Sequence, residues 1–123
     1  MTDYLTLDDV LSRVARLGLT VKDVGLLDSA VQRCRSSAFG QDAYPTLAEK
    51  AAALLHSLAQ NQPLVDGNKR IALLCAHAFL WINAHEIWAE DDALFDLMID
   101  LASGLDDLPT IAERLRVVSV PRH

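Results

Sequence analysis

Apolar residues return along this chain every third or fourth position, in blocks separated by short polar punctuation. Thr6 followed by Asp9 has the form of a capping box, and Leu7, Val10, Leu11 and Val14 then mark one face of a helix that Gly18 stops. A second segment, from about residue 26 to 37, carries Leu27, Ala30, Val31 and Cys34 on one side. The stretch AFGQDAYP, with Gly40, Asp42 and Pro45, is the most turn-like part of the chain and delays the next helix. Thr46 and Glu49 form the clearest capping box, T-x-x-E, opening a helix through Leu47, Ala51, Leu54, Leu55 and Leu58. It should end near Gln60, because Pro63 disfavours helix at Gln62 and Asp66-Gly67 is a turn pair. From about residue 68 to 84 nearly every side is apolar (Ile71, Leu73, Leu74, Phe79, Leu80, Ile82), the pattern of a bundle's central helix. Asp91 or Asp92 caps an amphipathic helix through Leu94, Phe95, Leu97, Met98 and Leu101, ended near Gly104. Pro109 suits the first turn of a last helix over about 110–117, with Ile111, Leu115 and Val118 inward. Only Ile87-Trp88 has the character of a brief strand pairing. The pattern predicts an all-α fold, a single compact bundle of about six helices, with 1–123 as one domain free of repeats and linkers.

Composition narrows the function. An apolar fraction of 51% supplies a core, and 11 Lys+Arg against 17 Asp+Glu leave a net charge of −6. Such a chain lacks the broad basic footprint of nucleic-acid binders, so no direct DNA binding is expected and any anion site must be local. Cys34 and Cys75 have no Cys or His at zinc-ligand spacing and are read as reduced thiols. The opening MTDYLTLDDV has neither a basic nor an apolar leader region, and IALLCAHAFLWINA, 14 residues including His77, is too short to cross a bilayer. A cytoplasmic protein without membrane contact is the expectation.

The segment NQPLVDGNKRIAL, 61–73, is where chemistry concentrates. Gly67 permits a sharp turn and close backbone approach, and the N–H groups of the following residues emerge unpaired from a new helix. Together they make an anion cradle. Asp66 can hold Mg²⁺ as a single carboxylate beside substrate phosphates, with Lys69 as a point charge and Arg70 as a forked donor. The same residues also fit a plain interhelical turn with solvated Lys69 and Arg70. No G-x-x-x-x-G-K-[ST] loop occurs.

Read from Gln62 to Arg70, the loop resembles the signature of the Fic/Doc family, H-x-F-x-[DN]-[AG]-N-K-R in its Doc branch. The likeness extends through SSAFGQDAYPTLAEKAAALLHSLAQN upstream and FLWINA downstream. The resemblance implies a small all-α toxin domain of a toxin–antitoxin system, using ATP and Mg²⁺. Its Fic branch transfers AMP to hydroxyl side chains; its Doc branch phosphorylates a threonine of elongation factor Tu. By the same resemblance Asp66 holds the metal or orients phosphates, Gly67 and Asn68 line the anion hole, and Arg70 clamps phosphate oxygens. Lys69 stands where AMP-transferring members have glycine, which favours presentation of the γ-phosphate. The expected partners are a Phd-like antitoxin, whose C-terminal helix lies in an apolar groove near the loop, and elongation factor Tu as substrate.

One position departs decisively. Gln62 stands at the place of the family's general-base histidine, and an amide cannot accept a proton as imidazole does. Base assistance contributes about 10²–10⁴-fold, so a weakened enzyme, a pseudoenzyme acting as a binding module, and rescue by another base such as His56 all follow as alternatives. Leu64 for the signature's Phe is a mild apolar exchange. His56 and His77 read as packed or half-exposed helix residues, His85-Glu86 as a C-cap feature, and Glu90, Asp91, Asp92 and Asp96 as a solvated helix start. Trp81 and Trp88 read as core or as part of a partner groove.

Overall fold

A computed structural model describes residues 1–121. Six helices carry the fold: α1 (Leu7–Arg16), α2 (Val24–Arg33), α3 (Leu47–Asn61), α4 (Asn68–Ile82), α5 (Asp91–Ala102) and α6 (Leu108–Leu115). Two short antiparallel pairs accompany them, β1 (Ser37–Ala38) with β2 (Gln41–Asp42), and β3 (His85–Ile87) with β4 (Val117–Ser119).

Local chemistry sets most of the boundaries. Thr6 Oγ1 accepts from the Asp9 N–H at 3.1 Å while the Thr6 N–H donates to Asp9 Oδ2 at 2.8 Å, the reciprocal box that opens α1. The Thr6 backbone N–H, and after it the Thr6 hydroxyl, hold the Asp9 carboxyl below its usual pKa. The second helix begins earlier than the apolar pattern indicated and ends earlier too. Asp23 caps it by accepting from Leu26 N–H at 3.0 Å, and after Cys34 the chain leaves for the β1–β2 hairpin. Phe39 and Gly40, at φ 55° and 79°, form a turn whose twist matches the two strands.

The centre of the bundle is α3, not α4 as the apolar pattern indicated. It packs on α2, α4, α5 and α6, and Lys50 to Leu55 are all buried. Ala51, Ala52 and Ala53 allow neighbouring backbones to approach closely, whereas α4 leaves Leu74 and Trp81 exposed. Lys50 is 1% exposed, and its Nζ donates to Asp42 Oδ2 at 3.1 Å and to the Tyr44 carbonyl at 2.6 Å. It thereby ties β2 and the loop before α3 to the core.

Further corrections concern the C-terminal third. Glu90, not Asp91 or Asp92, is the N-cap of α5, and it makes no side-chain capping bond; the two aspartates fill the exposed first turn, where they suit the dipole. The last helix stops at Leu115 because Arg116 turns left-handed at φ 53°, and Val117–Ser119, read in part as helix, pairs instead with His85–Ile87. Trp88 lies beyond that ladder and donates its backbone N–H to the Arg116 carbonyl at 3.1 Å. Among the described residues no helix is long and apolar enough to cross a membrane. Both cysteines are buried free thiols, and burial pushes Cys75 up to about 12.

Candidate functional site

The site lies where α3 ends and α4 begins. Gln62 closes α3 in the left-handed region, φ 47° and ψ 57°, a conformation that costs a side-chain-bearing residue about 1–2 kcal/mol. The loop after it is held from outside. The Pro63 carbonyl accepts from Lys22 and Asp23 N–H at 2.8 and 3.0 Å, the Val65 N–H donates to the Thr20 carbonyl at 3.0 Å, and Leu64 is fully buried. Gly67, at φ 80°, opens α4 with Leu19 packed so closely that an added Cβ would lie 2.7 Å from its Cδ1. Leu19, Thr20 and Val21 brace the loop, yet nothing local in the sequence assigns them to it; a pairing across more than 40 residues leaves no periodic signal.

Asn68 is a clamp. Its Oδ1 accepts from the Leu64 N–H at 2.9 Å and its Nδ2 donates to the Leu64 carbonyl at 3.0 Å, which commits the side chain to bracing the loop. Asp66 Oδ1 accepts from the Gly67 N–H at 2.8 Å. The N-cap Gly67 offers α4 no side-chain acceptor. The first N–H groups of the helix therefore face outward with the positive end of its dipole.

Gln62, Asp66, Gly67, Asn68, Lys69 and Arg70, with Ala59 and Val65, line one open concavity of about 500 Å³. Its walls are polar. Lys69 and Arg70 are exposed and pair with no carboxylate among the described residues. Fixed N–H groups, a local dipole and two free cations suit one class of ligand, a compact anion such as a phosphoryl group.

A second hollow, about 360 Å³, runs between α4 and α5 and is lined mainly by Leu73, Leu94, Phe95, Met98 and Ile99. Lys69 and Arg70 close its near end, so the polar and the apolar hollow share two residues. Phe95 is 67% exposed there.

The three described histidines stand elsewhere. His56 Nδ1 lies 2.9 Å from Arg33 Nη1, which also donates to Ser57 Oγ at 2.8 Å, while Arg33 Nε donates to the Tyr44 hydroxyl. A guanidinium only donates, so Nδ1 accepts and the ring is neutral. Burial, and then the Arg33 charge, hold His56 below its usual pKa. His77 is exposed on α4, and His85 Nδ1–H donates to the Asn83 carbonyl at 2.6 Å, a bond to the C-cap of α4. None of the three lines the polar concavity. Trp81 and Trp88, 57% and 61% exposed, are not core.

The family model described as "Fic/DOC family" matches residues 3–80. A curated relative, "Toxin Doc" of Mycolicibacterium smegmatis (strain ATCC 700084 / mc(2)155), is 49% identical over 120 residues, covering 94% of this chain and 92% of that protein. The chain belongs to the Fic/Doc family. The matched Fic/Doc segment takes in the hairpin, α3, the whole loop from Gln62 to Arg70 and nearly all of α4, while α5, the far wall of the apolar hollow, lies past its end.

Proposed function

We propose that this Fic/Doc chain is the toxin of a toxin–antitoxin pair, built to transfer a phosphoryl group from ATP to a hydroxyl side chain of elongation factor Tu, and slowed by Gln62. The observation that carries the phosphate reading is the uncapped start of α4, with Lys69 and Arg70 free of carboxylates on one concavity. The name of the M. smegmatis relative supports the toxin assignment.

In this reading the backbone N–H groups at the head of α4 receive phosphoryl oxygens, and Arg70 clamps them in a forked contact. Lys69, at glycine's place in AMP-transferring members, directs the γ-phosphate to the acceptor. A Mg²⁺ ion fits the exposed Asp66 carboxylate, since Mg²⁺ commonly takes one protein carboxylate and completes its shell with phosphate and water. Bound there, it neutralises phosphate charge. Gln62 stands on the rim, where the acceptor hydroxyl must lose its proton, and offers that proton no base. The apolar hollow between α4 and α5 suits the helix of a Phd-like antitoxin.

Gln62→His tests the reading. The variant should arrest growth on expression and label elongation factor Tu from ATP about 10²–10⁴-fold faster than the unchanged chain. Adding Lys69→Ala should then remove γ-phosphoryl transfer; a switch to AMP transfer would instead assign the Fic-branch chemistry. A folded, ATP-binding Gln62→His protein that neither arrests growth nor labels a target would leave a nucleotide- or antitoxin-binding module.

A further inference from the structure

Gln62 stands at the acceptor end of the polar concavity and Gly67 to Arg70 at its phosphate end, and one short segment far away in sequence holds both. That segment, 19–23, joins α1 to α2 and is itself pinned by a helix cap on each side. Gly18 turns left-handed at φ 69°, and the Gly18 and Leu19 N–H groups donate to the Ala15 and Val14 carbonyls at 3.0 Å each. This is a Schellman ending of α1, and it delivers Leu19 to the loop. On the other side Asp23 caps α2 through the Leu26 N–H. Between the caps, the Lys22 and Asp23 N–H groups hold the Pro63 carbonyl, next to Gln62. The half-buried Leu19 meets the phosphate end by packing alone, filling the space that a side chain at Gly67 would need.

We infer that the 19–23 segment is a gauge that fixes the gap between the phosphoryl donor and the accepting hydroxyl, with Leu19 as its positioning residue; the inference rests on the transfer reading above. Lys69, Arg70 and the first N–H groups all ride on α4. A nucleotide held by them moves with the head of α4, so loosening Leu19 changes the distance to the acceptor without releasing ATP. Transfer is sensitive to that distance, since a misplacement of about 1 Å can cost about 10²-fold in rate.

Kinetics of elongation factor Tu labelling from ATP and Mg²⁺ by the Gln62→His protein test this, with hydrogen exchange followed at the Lys22, Asp23 and Val65 amides. Adding Leu19→Ala should lower kcat about 10–100-fold and leave the KM for ATP unchanged. The three amides should exchange about tenfold faster, while those of Leu54 and Leu55 in α3 keep their rates. Leu19→Met, which conserves volume, should bring kcat back to the Gln62→His value. A loss carried by KM with kcat unmoved would make Leu19 part of the nucleotide pocket and overturn the gauge. Faster exchange throughout α3 would also overturn it, as the mark of plain destabilisation. Labelling that Leu19→Ala leaves at full kcat would overturn the gauge alone, whereas a Gln62→His protein that labels nothing with Leu19 intact would overturn the transfer reading and the gauge together.

Discussion

α3 and α4 are both 15-residue helices packed side by side, and they begin in opposite ways. The first starts at Thr46, whose Oγ1 accepts from the Glu49 N–H at 3.1 Å and donates to Glu49 Oε1 at 3.0 Å. The second starts at a glycine that caps nothing, with two cations in its first turn where the dipole favours acids. One end is closed by a side-chain cap, and the other has none. A loop of six residues, 62–67, joins the buried helix to the uncapped one.

The contrast can be broken at either end. Arg70→Ala should weaken pyrophosphate binding by roughly 10–100-fold, the loss of a charge-assisted contact of about 1.5–3 kcal/mol, with thermal stability unchanged because Arg70 is exposed and makes no ion pair among the described residues. Calorimetry beside a melting curve separates the two effects. Gly67→Ala should lower stability by about 1–2 kcal/mol through its positive φ, with a further contribution from Leu19, and should also impair anion binding; chemical denaturation measures the first. Thr46→Ala should cost about 1 kcal/mol and leave pyrophosphate affinity untouched, since it removes a cap at the end that faces no ligand. Equal damage to binding by Thr46→Ala and Arg70→Ala would erase the distinction between the two ends.

The smallest effect is expected from pH. His56 must be neutral to accept from Arg33, and its folded pKa is depressed, first by burial and then by that charge. The unfolded ring titrates near about 6.5. The unfolded state then binds more protons between the two values, so stability is full above about 6.5 and declines as pH falls toward the folded pKa. Asp106, which favours the charged ring, moderates the decline. Denaturation midpoints at pH 7.5 and 5.5 should differ more for the unchanged chain than for His56→Gln; parallel shifts would detach the slope from His56.

Much of this architecture was legible from local rules. The Thr6–Asp9 capping box, the periodic faces of α1 and α3 and the turn at Gly67 are each written within a few residues and appear in place, whereas Thr46 caps α3 without completing its box, because Glu49 Oε1 accepts from the Thr46 hydroxyl instead of the Thr46 N–H. The centre of the bundle was misread because apolar content was taken for burial. The face with Leu74 and Trp81 is as apolar as a core face and lies outside, while three consecutive alanines, unremarkable by hydropathy, sit at the centre. The β3–β4 pair was nearly invisible, since its strands of three residues lie about thirty positions apart and are set by Arg116 turning left-handed. At the site, the order Asp-Gly-Asn-Lys-Arg pointed to the concavity. The clamp from Asn68 to Leu64 and the Asp66 contact with Gly67 depend on side-chain rotation, which spacing does not encode.

The two interior thiols have a practical bearing on all these measurements. Cys34 and Cys75 are both buried, and burial raises both pKa values, so neither supplies thiolate at neutral pH to an alkylating reagent or a passing disulfide. The folded chain is thus chemically silent toward maleimides, and a cysteine placed at the solvent-facing Phe39 on the hairpin tip would be its sole point of attachment for a fluorophore or spin label. Conversely, the appearance of reactive thiol in the unchanged chain would report opening of the core itself, a clock for unfolding that needs no added probe.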